Sequence, residues 1–193
     1  SLVRSLPNFK IISPSDYISA EGFFRYCLNN KGPKYLRFDA QALPALRCQA
    51  NKKFINNGFE VLQSDGSDCV IIATGYMTHA ALKVASCLKK NGKLISVIDL
   101  VNLTGFDCEN LQKEIKCAQL IVTLEEGFEG RGGLDALLTS FLNKNGLDTK
   151  LEGIGVRPGY SFELGTRQEL HEMVGIGLRT VSQRIMRTLE KLT

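Results

Sequence analysis

Few side chains in this sequence can carry chemistry. The densest candidate is VTLEEGFEGRGG, residues 122–133, where an apolar run meets Glu125 and Glu126 and then four glycines within seven residues. A glycine-rich turn that opens a helix can bind phosphate, because the free N–H groups of the first helical turn point outward. This stretch matches neither G-x-G-x-x-G nor the P-loop pattern. Glu125, Glu126 and Glu129 would also set negative charge beside an anion, with Arg131 alone to offset it. The plainer reading is a tight strand-to-helix turn in which glycines supply unusual dihedrals, or a domain or subunit contact through Glu125, Glu126 and Arg131. Arg37, in PKYLRFD, stands at the end of a strand pattern, and a guanidinium there can hold a phosphate or carboxylate in bidentate fashion. The competing reading for Arg37 is a salt bridge with Asp39 or with a neighbouring domain. His79, in ATGYMTHAAL, falls in the first turn of a helix without a carboxylate close by, which favours a structural or solvated role over that of a base. His171, flanked by glutamates on a helix, reads as a surface residue. No nucleophile–base–acid set emerges, so no catalytic residue is expected in this chain.

Positioning these residues falls to a regular series of elements. FKIISP (9–14) reads as a strand ended by proline, SDYISAEGFFRYCLNN (15–30) as a helix, and KYLRFD (34–39) as a second strand. Ser15 or Asp16 is placed to cap that helix. Strand, helix and strand make one βαβ crossover. Periodicity fades through AQALPALRCQANKK, as in a linker. FINNGFEVL (54–62) then carries a hairpin signal, Asn57-Gly58 between apolar alternations. Beyond it, strand patterns at 68–75, 93–101, 119–126 and 151–156 alternate with helix patterns at 79–92, 107–118 and 134–146. A capping box at Thr166 and Glu169 opens a further helix. The closing helix, 177–192, carries Leu178, Val181, Ile185, Leu189 and Leu192 along one face. Near-continuous apolar strands between amphipathic helices predict an α/β domain of three layers, α/β/α, around a mostly parallel sheet. The two strands and one helix that precede it are too few to bury their own faces, and they read as the tail of a larger domain.

Composition excludes several classes. Hydrophobic residues make up 44% of the 193 and charged residues 23%, which is globular rather than disordered. The net charge of +4 comes from 24 basic residues dispersed among 20 acidic ones, without the basic, aromatic-interleaved stripe of a nucleic-acid binder. No stretch reaches the roughly 18 apolar residues of a membrane helix, and no signal-peptide pattern opens the chain, so a soluble protein is expected. Six cysteines without a C-x-x-C pair suggest buried free thiols in a reducing, cytoplasmic compartment. With only two histidines, a zinc site is not expected.

Six segments in unbroken order resemble the C-terminal part of transketolase-family enzymes: LVRSLPNFKIISPSD, GPKYLRFD, DCVIIATGYMTHAALKVA, VIDLVNLTGFD, IVTLEEG and FELGTRQELHEMVG. That family includes transketolase, 1-deoxyxylulose-5-phosphate synthase and the beta chains of pyruvate dehydrogenase. The resemblance implies that residues 1–45 are the end of a pyrimidine-binding domain, 46–51 a linker, and 52–193 a transketolase C-terminal domain whose sheet holds one antiparallel strand, which the Asn57-Gly58 hairpin would suit. It implies a parent enzyme that moves a two-carbon ketol unit between sugar phosphates with thiamine diphosphate and Mg2+. Those groups would bind to upstream domains or an upstream subunit and not to this chain, which would be inactive alone and homodimeric. The resemblance makes Arg37 a substrate-phosphate ligand and puts Ala40 where a second arginine is usual, so Arg37 or Arg47 would have to substitute. It also reads EEGFEGRGG as a packing turn. Alternatives are a synthase or a 2-oxoacid dehydrogenase beta chain within the family, and outside it a non-catalytic flavodoxin-like ligand-binding or assembly module.

Overall fold

Apolar runs and glycine stops divide the chain as the periodicity predicts, with one exception near residue 57. The computed structural model describes residues 2–192. After a 3-10 turn at Leu2–Ser5 come strand β1 (Lys10–Ile12), helix α1 (Tyr17–Asn29) and strand β2 (Lys34–Leu36). β1 and β2 pair in parallel, Ile12 opposite Leu36, so the connection is the expected βαβ unit. Asp16 is the cap of α1. Its carboxylate accepts from the Ser19 N–H at 2.7 Å, and Ser19 Oγ in return accepts from the Asp16 N–H at 3.1 Å.

Asn57-Gly58 does not turn a hairpin. Lys52–Asn57 is a short helix, α2, opened by Asn51, whose side chain accepts from the Phe54 N–H at 2.9 Å. Gly58 closes it at φ +73. A left-handed residue ends helices as readily as it turns hairpins, so the dipeptide alone does not decide between them. The antiparallel strand is nevertheless present. Strand β3 (Phe59–Ser64) runs antiparallel to β5 (Ile95–Leu100), a partner distant in sequence.

β4 (Cys69–Ala73), β6 (Leu120–Phe128) and β7 (Lys150–Val156) complete a five-stranded sheet of order β3-β5-β4-β6-β7, parallel except for β3. Alternate residues of β4 serve opposite faces, as strand geometry requires. Ile71 packs with helices α3 (Met77–Lys90) and α7 (Leu178–Glu190), and Val70 and Ile72 with α4 (Cys108–Ile115) and α5 (Leu134–Lys144). Val181, Ile185 and Leu189 form the buried stripe of α7, each contributing about 1.5–3 kcal/mol of apolar burial. Helix α6 (Arg167–Val174) precedes α7 and starts with the expected Thr166–Glu169 capping box.

The first βαβ unit does not cover itself. Ile12, Phe23 and Cys27 pack against Phe54 of α2 and Val101 at the end of β5. The Ser13 N–H donates to Val101 O at 2.9 Å, and the Leu103 N–H donates to Ile11 O at 2.9 Å. All six cysteines are unpaired, Cys27 and Cys69 being buried. Among the described residues no helix is long and apolar enough to cross a membrane.

Candidate functional site

Parallel strands direct their C-terminal ends toward the crevice in which ligands of open α/β sheets bind. Here the segments leaving β1, β2 and β4 meet the outer part of β6 around a cleft of about 260 Å³, lined by Ser13, Arg37, Asp39, Thr74, Glu126 and Arg167 among others. Arg37 follows β2, where its N–H donates to Ile12 O at 2.8 Å. Its guanidinium is exposed and forms no hydrogen bond or ion pair among the described residues. It lies close enough to Asp39 and Glu125 to favour the ionised form of both.

Asp39 pairs elsewhere. Its Oδ2 accepts from Arg167 Nη2 at 2.7 Å, and its Oδ1 accepts from the Gln41 N–H at 2.9 Å. Arg167 also donates to Glu126 through Nε at 3.0 Å and Nη2 at 2.7 Å, and its guanidinium stacks 3.5 Å from the Tyr76 ring. The surface position expected for His171 is incorrect. Its side chain is 12% exposed, its Nε2 lies 2.8 Å from Glu126 Oε1, and its ring meets Tyr76 edge-on. Local sequence places it among glutamates on its own helix, but the carboxylate it meets arrives from β6. The hydrogen bond from Arg167 holds Asp39 below the usual carboxylate range. Burial opposes ionisation of Glu126, yet the bonds from His171 and Arg167 outweigh it and hold Glu126 low as well.

The glycine turn after β6 is already filled. Glu125 turns back and accepts from the Leu134 N–H at the first turn of α5. A Cβ at Gly133 would collide with that carboxylate, which explains the glycine there. Glu129 takes Arg184 at 2.9 Å. The helix terminus that could have cradled a phosphate thus holds the chain's own carboxylate. Burial pushes Glu125 above its ordinary range, and Asp135 adds to the effect. Of Glu125, Glu126 and Arg131, only Arg131 keeps an exposed side chain.

Arg47 is not available to substitute for the arginine missing at Ala40. Its side chain is 4% exposed and enclosed by carboxylates: Asp16 at 3.2 Å, Glu60 at 2.8 Å, and Asp99 in the middle of the fold. Asp99 also accepts from Ser15 Oγ and from Thr78 Oγ1. The signal for this cluster was in the sequence: an aspartate inside the apolar run LISVIDLV needs a buried partner. His79 is structural, its Nε2 lying 2.7 Å from Ser15 O.

Chemically, the cleft offers one open cation, one shared cation and hydroxyl and amide groups, without a nucleophile beside a base. That equips it to bind. Among the described residues no three His, Cys, Asp or Glu side chains are grouped as a metal site requires. The donor set, and a glycine turn closed by Glu125, do not fit a pyrophosphate–Mg2+ group.

Known proteins resemble this chain in sequence and fold. A Methanocaldococcus jannaschii protein named as a transketolase C-terminal section is 27% identical over 191 residues, 99% of this chain and 59% of its own length. The 1-deoxy-D-xylulose-5-phosphate synthase of Parasynechococcus marenigrum is 28% identical over 98% of this chain and 29% of its own. The chain thus spans less than two thirds of the length of these relatives. Among solved structures, a split-gene transketolase in an inactive beta4 tetramer superposes with a TM-score of 0.85 at 26% identity, covering 98% of this chain and 60% of that one. A Pichia stipitis transketolase shares the fold at TM-score 0.73 and 18% identity, over 97% of this chain and 26% of its own. The model of the transketolase C-terminal domain matches residues 59–181, most of the five-stranded unit and the helices that cover it. On that match the chain belongs to the transketolase C-terminal domain family.

Proposed function

We propose that this chain is the C-terminal part of a transketolase-type enzyme that transfers a two-carbon ketol unit between sugar phosphates. The observation that carries the reading is the extent of the likeness to the Methanocaldococcus jannaschii section. It includes β1, α1 and β2 as well as the family segment, 191 residues in all. Residues 1–45 then correspond to the end of a pyrimidine-binding domain, 46–51 to a connector and 52–193 to the C-terminal domain. Thiamine diphosphate with Mg2+ would supply the electron sink, bound by upstream domains or a separate upstream subunit. This chain contributes packing, assembly as a homodimer in the cytoplasm, and Arg37 as a ligand for the substrate's anionic group. The open guanidinium at the strand ends supports that last role. Arg131, an exposed residue of the glycine turn, is the charged side chain offered there for contact with another chain.

Calorimetric titration of thiamine diphosphate and Mg2+ tests the division of labour. No heat of binding is expected from this chain alone, and micromolar binding once an upstream portion is supplied. Turnover or micromolar cofactor binding by the chain alone would overturn it, and a strict monomer by light scattering would remove the dimer.

A second reading, 1-deoxy-D-xylulose-5-phosphate synthase, is favoured by relatives of that name. Comparing pyruvate with xylulose 5-phosphate plus ribose 5-phosphate as substrates of the reconstituted enzyme separates the two.

A further inference from the structure

Arg37 and Asp39 stand two residues apart on one exposed segment, where a guanidinium and a carboxylate are natural partners. In the fold they do not pair. Asp39 is held by Arg167, 128 positions along the chain, and its other oxygen takes the Gln41 N–H. Arg167 is in turn fixed from three directions: two of its nitrogens lie on Glu126, its guanidinium carbon sits over the Tyr76 ring, and it starts a helix whose first turn is locked by the Thr166–Glu169 box. Glu126 is itself steadied by His171. The result is one cation shared by two carboxylates and a second cation left open beside them.

We infer that Arg167 is a positioning residue: it draws Asp39 away from Arg37 and thereby keeps the Arg37 guanidinium free for an anionic ligand. This rests on the reading of Arg37 as an anion ligand. A carboxylate released by loss of Arg167 competes with the ligand for the same guanidinium, and a part-exposed pair of this kind weakens binding about fivefold. The charges around the segment include Arg37 and Asp39 on the segment itself, Glu125 and Glu126 from β6, Arg167 from α6, and Arg4, which lines a cleft with Arg37 and Glu125 and donates to Gly133 O.

The test is titration of the whole chain with inorganic phosphate, followed by NMR shifts of the backbone around Arg37. R37Q is expected to abolish the response, and R167Q to weaken it about fivefold. R167Q/D39N should return to within about twofold of the original affinity, because the competitor is gone although the latch remains broken. R167Q/E126Q restores the same net charge but leaves Asp39 ionised, and is expected to stay weak. Equal rescue by both double variants would reduce Arg167 to a general charge effect and overturn the inference. So would an unchanged affinity in R167Q, or a failure of D39N to rescue it. Should R167Q not fold, R167M with and without D39N gives the same comparison. No effect of R37Q overturns the anion-ligand reading itself, whereas loss in R37Q with no change in R167Q overturns only the role of Arg167.

Discussion

Two arginines, 47 and 167, each tie the first βαβ unit to the five-stranded domain, and they do so in opposite surroundings. Arg47 is 4% exposed, and the side chains of Asp16 and Asp99 beside it are wholly buried. Arg167 is 28% exposed, at the rim of the cleft, with Asp39 and Glu126 part-exposed. A buried cation among carboxylates enforces one geometry, since any rearrangement strands an ionised group in a poorly solvated place. A rim cation can exchange partners with water at small cost. The first arrangement suits a fixed joint. The second suits the adjustment of a binding cleft.

The largest expected effect follows from the burial of Arg47. R47M leaves Asp16, Asp99 and Glu60 facing one another without a cation and should destabilise the fold by about 3–5 kcal/mol, read from urea unfolding. R167Q breaks a pair that water already screens and should cost about 1 kcal/mol by the same measurement. Equal losses in the two variants would break the comparison. A loss confined to R47M would sharpen it, leaving Arg167 as a residue whose importance is read in ligand affinity and not in stability.

Legibility in the sequence follows the same division. The βαβ unit, the strand and helix alternation and the caps at Asp16 and Thr166 are set by neighbours within a few residues, and local pattern reveals them. Asn57-Gly58 was misread because a short helix with one buried residue, Phe54, has no periodicity to set against a strong turn signal. The arginine clusters join residues 13 to 128 positions apart. Nothing near Arg167 announces Asp39, and nothing near His171 announces Glu126. Arg37 could be singled out from its place at a strand end, but whether it would be tied to Asp39 depended on α6. Asp99 was the exception, because an acidic residue within LISVIDLV is itself a request for a buried cation.

The smallest effects give the sharpest contrast, since Glu126 and Glu60, one beside each arginine, respond to pH with opposite sign. Hydrogen bonds from His171 and Arg167 overcome burial and hold Glu126 below the usual range. Its ionised form therefore stabilises the fold above the unfolded value of about 4.3, and that contribution is lost as pH falls through the folded value. E126Q should cost about 1 kcal/mol at neutral pH and converge with the unsubstituted chain in acid. Glu60 lies the other way. Burial raises it, and although Arg47 pulls it down, Asp99 and Asp16 add to the rise, because one cation there faces three carboxylates. Its protonated form favours the fold, so this stability is fully present below about pH 4.3 and is lost as pH rises through the raised value. E60Q keeps an oxygen for Arg47 while removing the surplus charge. It should gain on the order of 0.5 kcal/mol at neutral pH and nothing in acid. Urea midpoints of the three proteins at neutral and acid pH decide the matter. Destabilisation by E60Q at neutral pH would mean that the Glu60 charge is needed to balance Arg47. The buried joint would then be an ordinary set of ion pairs, differing from the rim latch only in depth.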